Sequence, residues 1–150
     1  MVMLRDMRAG EFPAYLAYFL PDYAEEISAA YGLDAAAARA RAEAEIARDL
    51  PQGVATPGHQ LLCIDRAGAL VGYLWLRPEP GGAFILDFHI LPAHQRQGLA
   101  RAALGALQAR LAAAGKGQLR LRVAPGNSRA QAVYEAAGFR VTGINMARNF

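Results

Sequence analysis

The sequence reads as an α/β protein built on a central mixed sheet flanked by helices. Three stretches lead to this. Gln60–Asp65 and Ala69–Arg77 are strand-like runs separated only by Arg66-Ala67-Gly68, which has the length and composition of a hairpin turn. Ala83–Leu91 is a further apolar run, and a helical pattern from about Gly98 to Ala114 follows it. Leu119, Leu121 and Val123 then alternate with Arg120 and Arg122, the period of a strand with one apolar face. Strand, helix and strand in that order form a β-α-β crossover, which adds a parallel pair to a sheet whose earlier strands run antiparallel.

The remaining elements follow in order. Met1–Arg5 suits a first strand. Phe12, Leu16, Phe19 and Leu20 recur at helical spacing, with Pro13 tolerated in the first turn. Pro21 is expected to break this helix, and Asp22–Tyr31 to resume helical character until Gly32. Asp34 is the expected N-cap of an Ala-rich helix from Ala35 to about Asp49. Leu50–His59 holds two prolines and two glycines and reads as loop. Arg77–Gly82 reads as a turn, and Gly115-Lys116-Gly117 ends the long helix in C-cap fashion. Asn127 then caps a last helix with Ala130, Val133, Tyr134 and Ala137 on one stripe, and Gly138 stops it. Phe139–Ala147 is expected to form one or two closing strands. With no repeats and no low-complexity linker, residues 1–150 are expected to form one domain.

Composition narrows the function classes. A chain of 150 residues that is 54% hydrophobic and 19% charged has the make-up of a compact soluble protein, with roughly 70% of its unfolded surface buried. No apolar run approaches the roughly 18 residues of a membrane span, and Met1-Val-Met-Leu-Arg-Asp6 lacks the layout of a secretion signal. Cys63 is the only cysteine, so no internal disulfide forms and a cytoplasmic location is expected. Its apolar strand context suits a buried thiol better than a nucleophile. Net charge is +3 and spread along the chain, and Lys116 is the only lysine. Arginine suits hydrogen-bonded phosphate contacts, and an anionic cofactor explains the bias without nucleic acid. The three histidines lack the spacing of a metal site.

The chemistry concentrates in Ile85-Leu-Asp-Phe-His-Ile-Leu-Pro-Ala-His-Gln-Arg-Gln-Gly-Leu-Ala-Arg101. A strand ends at Pro92, and a turn delivers Gln95-x-x-Gly98-x-Ala100 into a helix. A helix start leaves N–H groups without partners and adds a partial positive charge. Gly98 allows an anion close to the backbone, Ala100 keeps the first turn narrow, and Arg96 and Arg101 add formal charge. The result is a phosphate cradle at a strand-to-helix junction.

Gln95-x-x-Gly98-x-Ala100 after Ile90-x-Pro92 resembles the pyrophosphate loop of the GCN5-related N-acetyltransferase (GNAT) family, Gln/Arg-x-x-Gly-x-Gly/Ala. Asn127-x-x-Ala130-x-x-Val133-Tyr134-x-x-x-Gly138-Phe139 resembles that family's second signature and lies the right distance downstream. Leu50-Pro-Gln-Gly53, Thr56-Pro-x-His59, Gly72-Tyr-x-Trp75 and Thr142-Gly-x-Asn145-Met146 resemble a bacterial subgroup of unassigned substrate. Neither a P-loop nor a dinucleotide fingerprint is present.

The resemblance implies an acyl-CoA N-acyltransferase fold whose two parallel strands splay to admit the pantetheine arm. It implies an acetyl-CoA-dependent N-acetyltransferase acting on a primary amine of a small molecule, peptide or protein, as monomer or homodimer. An acyl-CoA-binding sensor without useful transfer is the alternative. Backbone groups of Phe88 and Ile90 would hold the arm, and N–H groups from Gln97 through Gly98, Leu99 and Ala100 to Arg101 the pyrophosphate, beside Gln95 and Arg96. Asn127 is an N-cap and, in the family's pattern, also a cofactor contact. Tyr134 is either core with its hydroxyl at the rim or, in the family's role, the acid that protonates the leaving thiolate. Asp87 and His89 share a strand face; either is a candidate base, and each has a structural alternative. A water chain replaces the base in some members. Glu25, Glu26 and Tyr31 are more distant candidates. The helices from Phe12 to Asp49, with Tyr15, Tyr18, Tyr23 and Tyr31, are expected to shape the acceptor side, though these rings suit packing on the sheet equally well.

Overall fold

The computed structural model describes Met1–Phe150. In chain order its elements are β1 (Met3–Asp6), α1 (Phe12–Tyr31), α2 (Ala35–Asp49), β2 (Gln60–Arg66), β3 (Ala69–Glu79), β4 (Gly82–Ile90), α3 (Leu99–Ala113), β5 (Gln118–Leu121) and α4 (Ser128–Ala136). They resolve into two compact units. One comprises Met1–Met7 and Pro57–Phe139, the other Arg8–Thr56 and Arg140–Phe150.

The first unit is the mixed sheet with α3 and α4. Its strands lie in the order β1-β2-β3-β4-β5, antiparallel except for the parallel pair β4–β5. The β2–β3 hairpin closes on Ala67 and Gly68, at φ +50° and +80°, so both central residues are left-handed as a tight right-twisting hairpin requires. Leu62, Ile64, Leu74, Leu76, Ile85 and Ile90 form one apolar face, and Leu99, Ala103, Leu104 and Leu107 of α3 pack against it. Leu99, Ala103 and Leu107 are four apart and Leu104 is three before Leu107, the spacings that align side chains along one stripe. Gly115 (φ +76°) ends α3: its N–H reaches the Ala112 carbonyl, and that of Lys116 reaches Leu111 at 2.9 Å.

Two backbone features shape the centre of this sheet. Gly82 pairs with Gln118, and any side-chain carbon there would overlap the Gln118 carbonyl, so β5 approaches this closely only against glycine. Farther along, Trp75 pairs with Asp87 but Leu76 with Ile85, which leaves Leu86 as an extra residue on β4. This bulge bends and twists the strand. It falls directly after Ile85↔Leu121, the last β4–β5 pair. Beyond it the parallel strands part, as the fold class implied.

The bulge also resets which side chains share a face. Phe88 and Ile90 join the core cluster with Ile85. Asp87 and His89 point to the opposite face, beside their cross-strand partners Trp75 and Tyr73.

The second unit is a helix pair with the C-terminal segment. Ala24 and Ile27 of α1 pack with Ala38 and Ala42 of α2. Gly32 caps α1 at φ +66°, and Asp34 caps α2 by accepting from the Ala37 N–H at 2.7 Å. Tyr15 is buried and stacks on Phe19, which stacks on Tyr23. The Tyr23 hydroxyl is bonded to Glu45, and Arg41 lies over the Tyr31 ring at 4.3 Å.

Two expectations are corrected. Pro21 does not break the first helix; α1 runs continuously through it. A proline inside a helix removes one hydrogen bond and crowds the carbonyl four residues back, costing about 3 kcal/mol. Continuing the helix places Ala24 and Ile27 in the buried set with Tyr15 and Phe19, and that burial outweighs the loss. The closing strands are absent: residues 140–150 carry no regular structure, and Val141, Ile144, Met146 and Phe150 are exposed. Their spacing of three, two and four leaves no period-two apolar face for a sheet to bury. Asn149 instead donates to the Tyr31 carbonyl at 2.9 Å.

No helix is long and apolar enough to cross a membrane. Cys63 is a free, buried thiol on β2.

Candidate active site

The site begins where β4 loses its parallel neighbour. The Leu91 N–H reaches the Val71 carbonyl at 2.8 Å, which fixes the parity of the β3–β4 ladder. Residues 91, 89 and 87 therefore bond toward β3, and the N–H and C=O of Phe88 and Ile90 point the other way. That direction is the opening left by β5. The Ile90 carbonyl takes a hydrogen bond from the Gln95 side-chain amide at 2.9 Å, so Gln95 braces the end of the strand.

The turn that follows is concave. Pro92–His94 make one 3₁₀ turn; Arg96 sits at φ +62° and Gly98 at φ +75°. Two left-handed residues two positions apart curl the backbone here, the kind of turn in which neighbouring N–H groups can converge on an anion. Holding a non-glycine residue such as Arg96 in the left-handed region costs about 1 to 2 kcal/mol. Gln97 turns its side-chain oxygen outward to the hairpin, accepting from Arg66 Nη1 at 2.9 Å. Gly98 is the N-cap of α3 and has no side chain to satisfy the first N–H groups. A Cβ built on it would meet nothing within 4 Å, so the space above the uncapped helix start is open.

The far wall is α4. Asn127 caps it with its own side chain, accepting from the Ala130 N–H at 3.1 Å. Gly138 at φ +95° and the Phe139 N–H on the Tyr134 carbonyl close its C-terminus. Tyr134 lies between two rings, 6.5 Å from Phe88 and 5.6 Å, edge-on, from Phe139. Burial, reinforced by the negative charge of Asp87, pushes its phenol up to about 12. The phenol stays protonated throughout the physiological range.

Between these walls is a cavity of about 590 Å³. Its lining combines three guanidinium groups, those of Arg96, Arg101 and Arg129, with apolar and aromatic groups that include Phe88, Ile90, Val133 and Tyr134. Of the residues singled out in the sequence, Phe88, His89, Ile90, Gln95, Arg96, Gly98, Leu99, Ala100, Arg101, Asn127 and Tyr134 line it. Gln97 and Asp87 do not; the first is turned toward Arg66, and the second projects from the other face of β4. His94, Arg129, Ala130 and Val133 line the cavity without having been singled out for it. The i, i+4 spacing from Arg129 to Val133 was the signal available for the arginine. On the Asp87 face, His59 is more than a loop residue: its Nδ1 accepts from the Trp75 indole N–H at 3.0 Å, which leaves the ring proton on Nε2. No cluster of His, Cys, Asp and Glu in the chain is arranged to hold a metal ion.

A model of the acetyltransferase (GNAT) family matches residues 17–139. The chain belongs to the GNAT family. Among its GNAT relatives is the uncharacterized N-acetyltransferase YycN of Bacillus subtilis (strain 168), 33% identical over 98% of this chain and 97% of its own length. YdgE of the same organism, also an uncharacterized N-acetyltransferase, is 28% identical over 97% and 96%. The crystal structure of YycN superposes with a TM-score of 0.91, covering 100% of this chain and 99% of the other at 32% identity. PaiA N-acetyltransferase from Thermoplasma acidophilum, solved in complex with coenzyme A, shares the GNAT fold at a TM-score of 0.70 and 14% identity, over 97% and 93% of the two chains.

Proposed function

We propose that this GNAT protein transfers an acetyl group directly from acetyl-CoA to a primary amine of a small molecule, peptide or protein. The observation that carries the reading is the uncapped start of α3 at Gly98, open to a cavity that continues into the β4–β5 opening. Such a site fits a ligand with phosphates at one end and an extended amide-bearing arm at the other. Bound acetyl-CoA supplies an activated thioester carbonyl. The family match runs through both compact units, and the proposal takes residues 1–150 as one catalytic domain.

The roles follow from chemistry. The N–H groups from Gln97 to Arg101 and the side chains of Arg96 and Arg101 hold the diphosphate. The outward backbone groups of Phe88 and Ile90 hold the arm, and the Ile90 N–H faces an oxygen that gains negative charge. Asn127 keeps its side-chain N–H groups for the arm, because its oxygen is engaged at Ala130.

An alkyl amine is mostly ammonium at neutral pH, with a pKa near 10.4 for lysine, and it must lose a proton before it attacks. Asp87 and His89 are the acceptors on β4. Tyr134 is the proton donor on the thiol side. With its phenol at about 12 and a thiol ordinarily near 8.5, complete transfer is uphill, so the phenol first serves as a hydrogen-bond donor. A proton taken up by Asp87 removes one of the two causes of the shift and makes Tyr134 a better acid.

The test is thiol release from acetyl-CoA by the full chain against amines, polyamines and peptides. Turnover with one class supports the proposal and names the acceptor. Tight binding with no turnover on any of them replaces it with an acyl-CoA sensor.

A further inference from the structure

The cavity holds more positive charge than a diphosphate requires. Its lining includes Arg96, Arg101 and Arg129 and contains no Asp or Glu. The arginines paired with carboxylates are Arg5, Arg39, Arg41, Arg48, Arg77 and Arg120; the three arginines of the cavity are not among them. Guanidinium groups do not deprotonate in proteins, so three fixed charges share one cavity with an uncapped helix start. A diphosphate diester brings only two negative charges.

Arg129 is the charge left over. Arg96 and Arg101 flank Gly98 at the uncapped start of α3, whereas Arg129 stands on the opposite wall, in the first turn of α4. There Asn127 already satisfies the Ala130 N–H with its own oxygen. What α4 offers an anion is therefore chiefly the Arg129 side chain. Ala130 and Val133 line the same cavity, which sets the helix face on which Arg129 stands.

We propose that Arg129 is a donor-specificity residue that binds a phosphomonoester carried apart from the diphosphate. Coenzyme A has such a group at the ribose 3′ position. The assignment rests on the acyl-CoA reading above and adds discrimination to it. A phosphomonoester carries about −1.5 to −2 charge at neutral pH, and the guanidinium fork matches two of its oxygens.

Calorimetric titration of the full chain with coenzyme A and with 3′-dephospho-coenzyme A tests this, in the wild type, Arg129→Ala and Arg129→Lys. The wild type should prefer coenzyme A by about ten-fold or more, the scale of a charge-assisted hydrogen bond. Arg129→Ala should lose most of that preference by weakening coenzyme A alone, and Arg129→Lys should keep part of it. A wild type without preference, or an Ala variant that weakens both ligands equally, overturns the assignment and leaves the acyl-CoA reading standing. If neither ligand binds the wild type, the acyl-CoA reading itself fails, and this one with it.

Discussion

Asp87 and Tyr134 act on one another across the body of β4. The carboxylate projects from one face of the strand, the phenol packs beside Phe88 on the other, and the charge of the first helps hold the proton of the second up to about 12. Burial is the larger cause and the carboxylate the smaller.

Removing the charge should therefore move the phenol. Asp87→Asn is expected to lower the Tyr134 titration toward, but not down to, the ordinary value of 10.0, because burial remains. Ultraviolet tyrosinate titration, with Tyr134→Phe as the subtraction, reads it directly. An unmoved midpoint would show that Asp87 exerts no field at Tyr134.

The same shift predicts an alkaline weakness. Unfolded tyrosine titrates near 10 and Tyr134 at about 12, so the folded state holds the proton more tightly. Its contribution is fully present below pH 10 and is lost as pH rises through about 12, amounting to about 2 to 3 kcal/mol. Urea unfolding of wild type and Tyr134→Phe should give free-energy curves that converge by this amount over that window. Parallel curves would count against the shift.

Gly98 separates backbone strain from cavity filling. Gly98→Ala should cost about 1 kcal/mol of stability for a left-handed φ, with no clash from the new carbon. Gly98→Glu should fold comparably and lose more than about 100-fold in coenzyme A affinity, since a carboxylate then occupies the anion's place at the helix start. Calorimetry beside circular dichroism distinguishes the two; full affinity in Gly98→Glu would dismiss the cradle.

Arg66 should matter to binding more than to folding. It reaches Gln97 from a hairpin turn and is exposed, so its bond adds at most about 1 kcal/mol to stability. By steadying the turn that holds Arg96 at positive φ, it is expected to lower the KM for acetyl-CoA. Arg66→Ala should raise that KM about two- to five-fold with kcat unchanged. A loss confined to kcat would contradict a positioning role.

What was legible in the sequence was local. Asp34 and Asn127 announce helix starts because each side chain bonds an N–H three residues on, and both do so. The alternation at Leu119 and Leu121 announces a strand with one apolar face. The uncapped helix start at Gly98 was legible for the same reason, since Gly98 and the helix it opens are contiguous. Pairings between distant segments were not. Nothing in Ile85-Leu86-Asp87 marks a bulge, which exists only in the register against β3. Arg66 and Gln97 are separated by 31 positions, and His59 reaches Trp75 from 16 away. Pro21 misled because its local cost is real while the compensating burial is tertiary.

The extra residue at Leu86 also constrains how this protein can evolve. Deleting it would close the bulge with Trp75 still opposite Asp87 and Leu76 still opposite Ile85, so every side chain would keep its face. What would go is the local bend where β4–β5 pairing ends. A residue inserted after Asp87 would instead turn Phe88 and Ile90 off the core face and their backbone groups toward β3. The strand can therefore change length at its bulge and nowhere beyond it.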